Sequence, residues 1–430
     1  MNLTYFYKSA VLLAIFGLAS CKPTIDTVVP SKGTADFTRY IALGNSLTAG
    51  YADQGLSLQG QKNSYPELIA AQMKAVGGGN FSSPFFPADR FNGSGYLKLT
   101  ALTNGVPTIV PETSNLAIRG QVGTTNLYIR YTGELENFGV PGIKLAHVNI
   151  AQYGTLNNYY ERLLTDATVS NTTYLNFVTA KPWTFFSCWL GNNDILGYAT
   201  SGGASPSEQP TPKLAFTQLY TGVIAKMVST GAKGVVATIP DVTTTAYFKT
   251  VTLKTLLASI NATPAGAGVK DIYIQPGTGT ARAATAEDLF ILPLSSAGVI
   301  GKPNGAGAPY GLVPSYPVES KYVLDKAEVA IVKDYTTAYN NTIKSVANAN
   351  NLAVMDAYSL LNEYAAGKAA NGVPVSAAYI QGNLFSLDGI HLTPLGYAIT
   401  ANGFISAINA KYGASIPMVD VTKFGGVKFP

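Results

Sequence analysis

The sequence predicts an α/β protein, a three-layer α/β/α sandwich built on a parallel sheet. Three observations carry this. Short apolar runs recur and end in turn residues, their apolarity is continuous rather than alternating, and helical patterns lie between them. A strand covered by helices on both faces has no polar side, so it reads as an unbroken apolar run. Strand–helix alternation along a chain is the pattern of a sheet sandwiched between helices.

The elements follow in order. Tyr40-Ile41-Ala42-Leu43 runs into Gly44 and forms the first strand. Tyr65 to Val76 is a helix: Pro66 suits its first turn, Leu68, Ile69 and Met73 share a face, and Gly77 to Gly79 stop it. Another strand is expected just before Val140-Pro141-Gly142. Trp183 to Leu190 is an aromatic strand ending at Gly191, and Leu214 to Ser229 is a helix. Gly234 to Ile239 runs into Pro240, Lys326 to Asn348 is a long helix, and Leu352 to Met355 runs into Asp356. A helix over Tyr397 to Tyr412 closes the domain. Residues 80–135 and 243–320 break the alternation with Gly, Pro and Asn, and read as two long insertions on the sheet rather than separate domains.

At 430 residues the chain is long enough for one elaborated domain. Charged residues make up 12% of it, about half the usual share for a soluble cytosolic protein, which fits an exported protein better. The formal charge of +5 is scattered, and no basic run interleaved with aromatics appears, so no nucleic-acid partner is expected. Cysteine and histidine occur twice each, as Cys21 and Cys188, His147 and His391. No disulfide framework and no zinc site is expected from so few. Any mechanism that needs a neutral imidazole has two candidates.

The N-terminus reads as an address. Lys8 precedes a short apolar run, Val11 to Leu18, followed by Leu18-Ala19-Ser20-Cys21. The run is too short to span a bilayer and has the form of a secretory signal. Small residues before a cysteine resemble the lipobox of bacterial lipoproteins, in which the cysteine is lipidated and becomes the new N-terminus. The expectation is a signal peptide over residues 1–20, lipidation at Cys21, a tether over residues 21–35, and one domain over residues 36–430. The protein would then be anchored by lipid in a bacterial cell envelope. The bland alternative is an ordinary signal peptide with a chance cysteine.

Four segments carry chemistry. Ser46 follows the first strand directly, where α/β sheets present ligands, but a serine there also serves as a helix N-cap. Asp388-Gly389-Ile390-His391 places a carboxylate three residues before an imidazole, close enough in a turn to orient Nδ1 and leave Nε2 for a hydroxyl; a surface Asp and a capping His would look the same. Gly191-Asn192-Asn193-Asp194 and Val140-Pro141-Gly142 lie past strands and could supply hydrogen-bond donors, or simply be turns.

Taken together and in this order, the four segments resemble the SGNH, or GDSL-type, hydrolase superfamily, whose signature blocks read GDSL, a later Gly, GxND and DxxH. Here they stand as Gly44-Asn45-Ser46-Leu47, Gly139-Val140-Pro141-Gly142, Gly191-Asn192-Asn193-Asp194 and Asp388-Gly389-Ile390-His391. Ile239-Pro240-Asp241-Val242 and the run from Asp388 through Tyr397 extend the likeness, which spans about Tyr40 to Ala410. The resemblance implies a flavodoxin-like five-stranded parallel sheet. It implies Ser46 as nucleophile, His391 as general base and then acid, and Asp388 as its orienting group. Ser46 N–H, Gly142 N–H and the Asn193 side chain would form the oxyanion hole. No cofactor and no metal is implied. One position departs: the family's aspartate is Asn45 here, which keeps the size and acceptor oxygen of Asp without its charge.

Of the remaining candidates, His147 has no carboxylate at a suitable spacing and reads as structural. Asp194 would support the Asn193 turn, Cys188 would be a small buried hydrophobe, and Tyr198 a packed aromatic. The function expected is a serine ester hydrolase of lipase or esterase type, acting on a lipid or an acylated carbohydrate. A carbohydrate O-acetyl esterase is the alternative within the class, with Phe81, Phe85, Phe86, Phe91 and Tyr96 as aromatics for either substrate. A non-catalytic binding lipoprotein on a hydrolase fold is the alternative outside it.

Overall fold

The computed structural model describes residues 29–430, apart from residue 104. The expected signal peptide over residues 1–20, Cys21 and most of the expected tether therefore lie outside the described residues. Five parallel strands form the central sheet: β1 (Tyr40–Gly44), β2 (Asn137–Gly139), β3 (Phe185–Trp189), β4 (Lys233–Ala237) and β5 (Ala353–Met355). Their spatial order is β2-β1-β3-β4-β5. This is the flavodoxin-like order of the doubly wound sheets, with its topological switch between β1 and β3.

The unbroken apolar runs are explained by what covers them. Side chains alternate across a strand, so each strand serves two cores. Ile41, Leu43, Phe186, Cys188 and Val236 face one core; Tyr40, Ala42, Phe185, Trp189 and Val235 face the other.

Four main helices close these faces. On the first, α4 (Lys213–Val228) contributes Phe216, Tyr220 and Val223, and α5 (Lys326–Ala349) contributes Val332, Tyr339 and Ile343. On the second, α2 (Tyr65–Met73) contributes Ile69 and Met73, and α7 (Pro394–Tyr412) contributes Leu395, Ile399, Phe404 and Ile408. Helix α5 starts on a reciprocal cap, in which Asp325 accepts from the Glu328 N–H and the Glu328 side chain accepts from the Asp325 N–H. Helix α7 starts with Thr393 as N-cap and Pro394 at its first position. Three shorter helices complete the frame: α1 (Ser46–Ala49), α3 (Asn193–Thr200) and α6 (Ala357–Gly367).

The two stretches that break the alternation have structure of their own. Residues 80–135 include two antiparallel hairpins, Tyr96–Thr103 with Val106–Glu112 and Ile118–Val122 with Thr125–Tyr128. Residues 243–320 supply Val251, Ile272, Ile274, Phe290, Tyr310 and Val318 to a small separate apolar cluster. Both reach the loop before α7. Leu99 of the first hairpin packs with Ile380 and Leu387, and Tyr247 N–H donates to the Gly389 carbonyl at 2.9 Å. No helix among the described residues is long and apolar enough to cross a membrane.

Candidate active site

The C-terminal ends of β1, β2 and β3 carry Ser46, Gly142 and Asn193, so the switch-point crevice gathers three segments that are far apart in sequence. Gly44 closes β1. A Cβ there would overlap the Thr48 hydroxyl and the Trp189 carbonyl, so only glycine lets α1 turn back tightly against the sheet. Ser46 is the first residue of α1 and is buried. Asn45 caps that helix: its Oδ1 accepts from Leu47 N–H at 3.1 Å. An acceptor oxygen is all this cap requires, and Asn supplies it as well as Asp would. Asn45 Nδ2 is buried with no protein partner among the described residues.

The Asp388–His391 turn comes to Ser46 from the other end of the chain. His391 Nε2 lies 2.9 Å from Ser46 Oγ, and His391 Nδ1 lies 2.8 Å from Asp388 Oδ2. An ionised carboxylate only accepts, so Nδ1 carries the proton and the Nε2 lone pair faces the serine hydroxyl. Asp388 is densely held. Its Oδ1 accepts from Ile390 N–H at 2.9 Å, His391 N–H at 2.8 Å and the Ser386 hydroxyl at 3.2 Å, and its Oδ2 accepts from Gln54 N–H at 2.9 Å. Burial pushes its pKa up, but the facing His391 and the bonds to its ring and to backbone N–H groups outweigh that, leaving the carboxyl well below the usual carboxylate range. The imidazole is flanked by Tyr51, with ring centroids 4.6 Å apart.

Gly142 has φ +82°, a left-handed conformation that glycine adopts without strain. Neither its N–H nor that of Ser46 meets a protein acceptor among the described residues. Asn193 Nδ2 donates to the Ile143 carbonyl at 2.9 Å, which uses one of its two amide hydrogens and ties α3 to the Gly142 loop. Asp194 strengthens the same tie by accepting from Leu145 N–H at 2.6 Å, Ala146 N–H at 3.2 Å and the Thr211 hydroxyl at 2.6 Å. Burial raises its carboxyl to about 6.

A narrow cavity of about 60 Å³ opens beside Ser46 and His391, walled by Ile195, Ile239, Val242, Leu361, Phe385 and Leu392. The aromatics of residues 81–96 do not line it. Phe81 stacks on Tyr40 of β1, and Phe86 is buried under the Arg162 guanidinium. Their packing corrects the expectation that they face substrate. Cys188 lies in the core with its thiol pushed up to about 12 by burial, and Tyr198 is packed in the same core. His147 lies away from Ser46: its Nδ1 accepts from Lys144 N–H at 3.2 Å and its ring stacks on Tyr153. Among the described residues no group of three His, Cys, Asp or Glu side chains is placed to hold a metal ion.

Asp388 is also held by a turn that no motif in the sequence marks as part of the site. Asp53 and Gln54 both have positive φ, 54° and 62°, and Asp53 Oδ1 accepts from Leu387 N–H at 2.8 Å. Asp53 followed closely by Gly55 is a turn signal, but nothing in the sequence says what a turn at residue 53 would grip at residue 388.

The family model of GDSL-like lipases and acylhydrolases matches residues 40–404, and the chain belongs to that family. Solved structures that the chain is similar to include an alpha/beta hydrolase enzyme from the metagenome of Lake Arreo, at 11% identity and TM-score 0.38, covering 88% of this chain and 97% of that one. A lipase/acylhydrolase from Enterococcus faecalis is similar at 12% identity and TM-score 0.34, covering 88% and 98%. An acetyl xylan esterase is similar at 14% identity and TM-score 0.35, covering 86% and 98%. No curated protein matches the chain.

Proposed function

We propose that this chain hydrolyses carboxylic esters of short acyl groups through an acyl-enzyme on Ser46. The observation that carries the reading is the continuous line from Asp388 through His391 to Ser46, at 2.8 and 2.9 Å. Membership of a lipase/acylhydrolase family supports the reaction class.

In this reading Ser46 Oγ attacks the ester carbonyl while His391 Nε2 takes its proton, and Asp388 stabilises the imidazolium. The carbonyl oxygen becomes an oxyanion held by Ser46 N–H, Gly142 N–H and the second amide hydrogen of Asn193. His391 returns its proton to the departing alkoxide. Water, deprotonated by His391, then attacks the acyl-enzyme and releases the acid. The narrow apolar cavity receives the acyl group, and its size favours a chain of a few carbons over a fatty acyl chain. Hydrolysis of p-nitrophenyl esters from acetate to palmitate tests this. The expected result is highest kcat/KM on acetate or butyrate. A preference for palmitate overturns the short-acyl reading, and hydrolysis of none overturns the reaction in favour of a binding lipoprotein.

We further propose that the chain is exported and lipid-anchored at Cys21, on the strength of the Leu18-Ala19-Ser20-Cys21 motif. Palmitate labelling that disappears in Cys21→Ala supports this, and labelling that persists overturns it.

A further inference from the structure

Next to the Gly142 and Asn193 donors a second, wider groove of about 570 Å³ opens. Asn193 and Leu196 line both it and the acyl cavity, so the two spaces adjoin at Asn193, one of the proposed oxyanion donors. Their walls differ in kind. The acyl cavity is apolar, whereas the groove presents Lys144, His147 and Glu208 with the hydroxyls of Thr200, Ser205 and Ser207. None of these six side chains has a part in the acyl-transfer chemistry.

The charges in the groove cancel. Lys144 Nζ lies 2.8 Å from Glu208 Oε2. Burial, and then the nearby Lys144 charge, lower the His147 pKa, so its ring is neutral at pH 7. Because His147 Nδ1 accepts from Lys144 N–H, the ring proton sits on Nε2, and the imidazole can act as a donor there. The ring is held flat against Tyr153, with centroids 4.7 Å apart. The groove thus combines an imidazole N–H, an ammonium, a carboxylate and several hydroxyls, without a net charge to select an ion. A phosphate-bearing alcohol would need an unpaired cation, and the groove's lysine is already paired. Adjacent hydroxyls on a neutral ring, each donating and accepting, match this set of groups.

We infer that this groove binds the alcohol side of the ester, and that the alcohol is a neutral carbohydrate with vicinal hydroxyls, held by His147, Glu208 and Lys144. The inference rests on the ester hydrolase reading for its place in catalysis, but not for the binding itself. Two experiments on the full protein separate these. In the first, a mono-O-acetylated methyl glucoside is compared with p-nitrophenyl acetate and with acetylated glycerol phosphate. The glucoside ester is expected to exceed the glycerol phosphate ester by kcat/KM, and p-nitrophenyl acetate, whose leaving group makes no use of the groove, is the reference for the variants. Glu208→Gln and His147→Ala are each expected to lower its kcat/KM relative to p-nitrophenyl acetate by about tenfold, through KM rather than kcat. Preference for the glycerol phosphate ester, or equal effects on the glucoside and p-nitrophenyl esters, overturns the assignment. In the second, saturation-transfer NMR follows unacetylated methyl glucoside on wild type and on Glu208→Gln, which leaves the His147 cap in place should His147→Ala fail to fold. Binding that weakens in the variant supports the site even if no ester is hydrolysed, and no binding to wild type overturns it.

Discussion

Gln54 N–H donates to Asp388 Oδ2 at 2.9 Å, the same oxygen that faces His391 Nδ1. A backbone amide 334 residues earlier in the chain therefore sets the orientation of the carboxylate that orients the imidazole. The Gln54 side chain takes no part in that bond, and the residue's φ of 62° is one that glycine adopts freely. Gln54→Gly should leave kcat unchanged. Gln54→Pro removes the N–H and forces a negative φ, and should lower kcat by about tenfold to a hundredfold, the worth of a hydrogen bond to a charged group. Steady-state kinetics with circular dichroism as a folding control distinguishes the two.

Asn193 offers one amide hydrogen to the proposed oxyanion and commits the other to Ile143. Asn193→Ala should lower kcat by about a hundredfold or more with a smaller change in KM, because the lost bond matters most in the transition state. Asn193→Asp keeps the size but brings a negative charge to the oxyanion, and should be at least as damaging. A variant with normal kcat would remove Asn193 from the hole.

Asn45 holds α1 through its oxygen. Asn45→Asp keeps an acceptor there and should preserve the fold, with activity within about tenfold of the parent. Asn45→Ala loses the cap and should cost about 1 kcal/mol of stability by thermal denaturation. If Asn45→Asp abolished activity while the protein stayed folded, the neutral side chain would be a requirement of this site rather than a substitute for the acid.

Asp194 gives a pH signature. Burial raises its carboxyl from an ordinary 3.8 to about 6. Between those values the folded protein keeps a proton that the unfolded chain has released, so this group makes stability fall as pH rises through that window. Asp194→Asn does not titrate, and its melting temperature should lack this part of the decline, on the order of 3 kcal/mol across the window. Parallel pH profiles for parent and variant would show that Asp194 does not titrate there.

Much of the frame was legible because it is written locally. Four of the five strands stand out as apolar runs ending in turn residues, and helix α2 carries its own start and stop residues, Pro66 and Gly77 to Gly79, whereas the last helix begins at Pro394, three residues before the expected Tyr397. Strand β2 was legible only as something preceding Val140, since Asn137-Phe138-Gly139 is three residues long and begins with a polar side chain. That Asn is satisfied by a distant partner, the Thr48 carbonyl at 3.1 Å, which no local pattern announces. The candidate triad of Ser46, Asp388 and His391 stands out by motif and spacing, whereas the Asp53–Gln54 clamp and the His147 groove depend on contacts between segments far apart in the chain. Phe81 and Phe86 misled for the same reason: a Phe in a Gly- and Pro-rich stretch looks exposed until its partner, Tyr40 or Arg162, is known.

The central claim is that Ser46 is a nucleophile activated by His391. A fluorophosphonate probe added to the purified, folded protein, with the modified peptide read by mass spectrometry, tests it most directly. The account predicts stoichiometric labelling on Ser46, none in Ser46→Ala, and labelling slowed by at least about a hundredfold in His391→Ala. A folded parent protein that stays unlabelled, or one labelled as fast without His391, would contradict it.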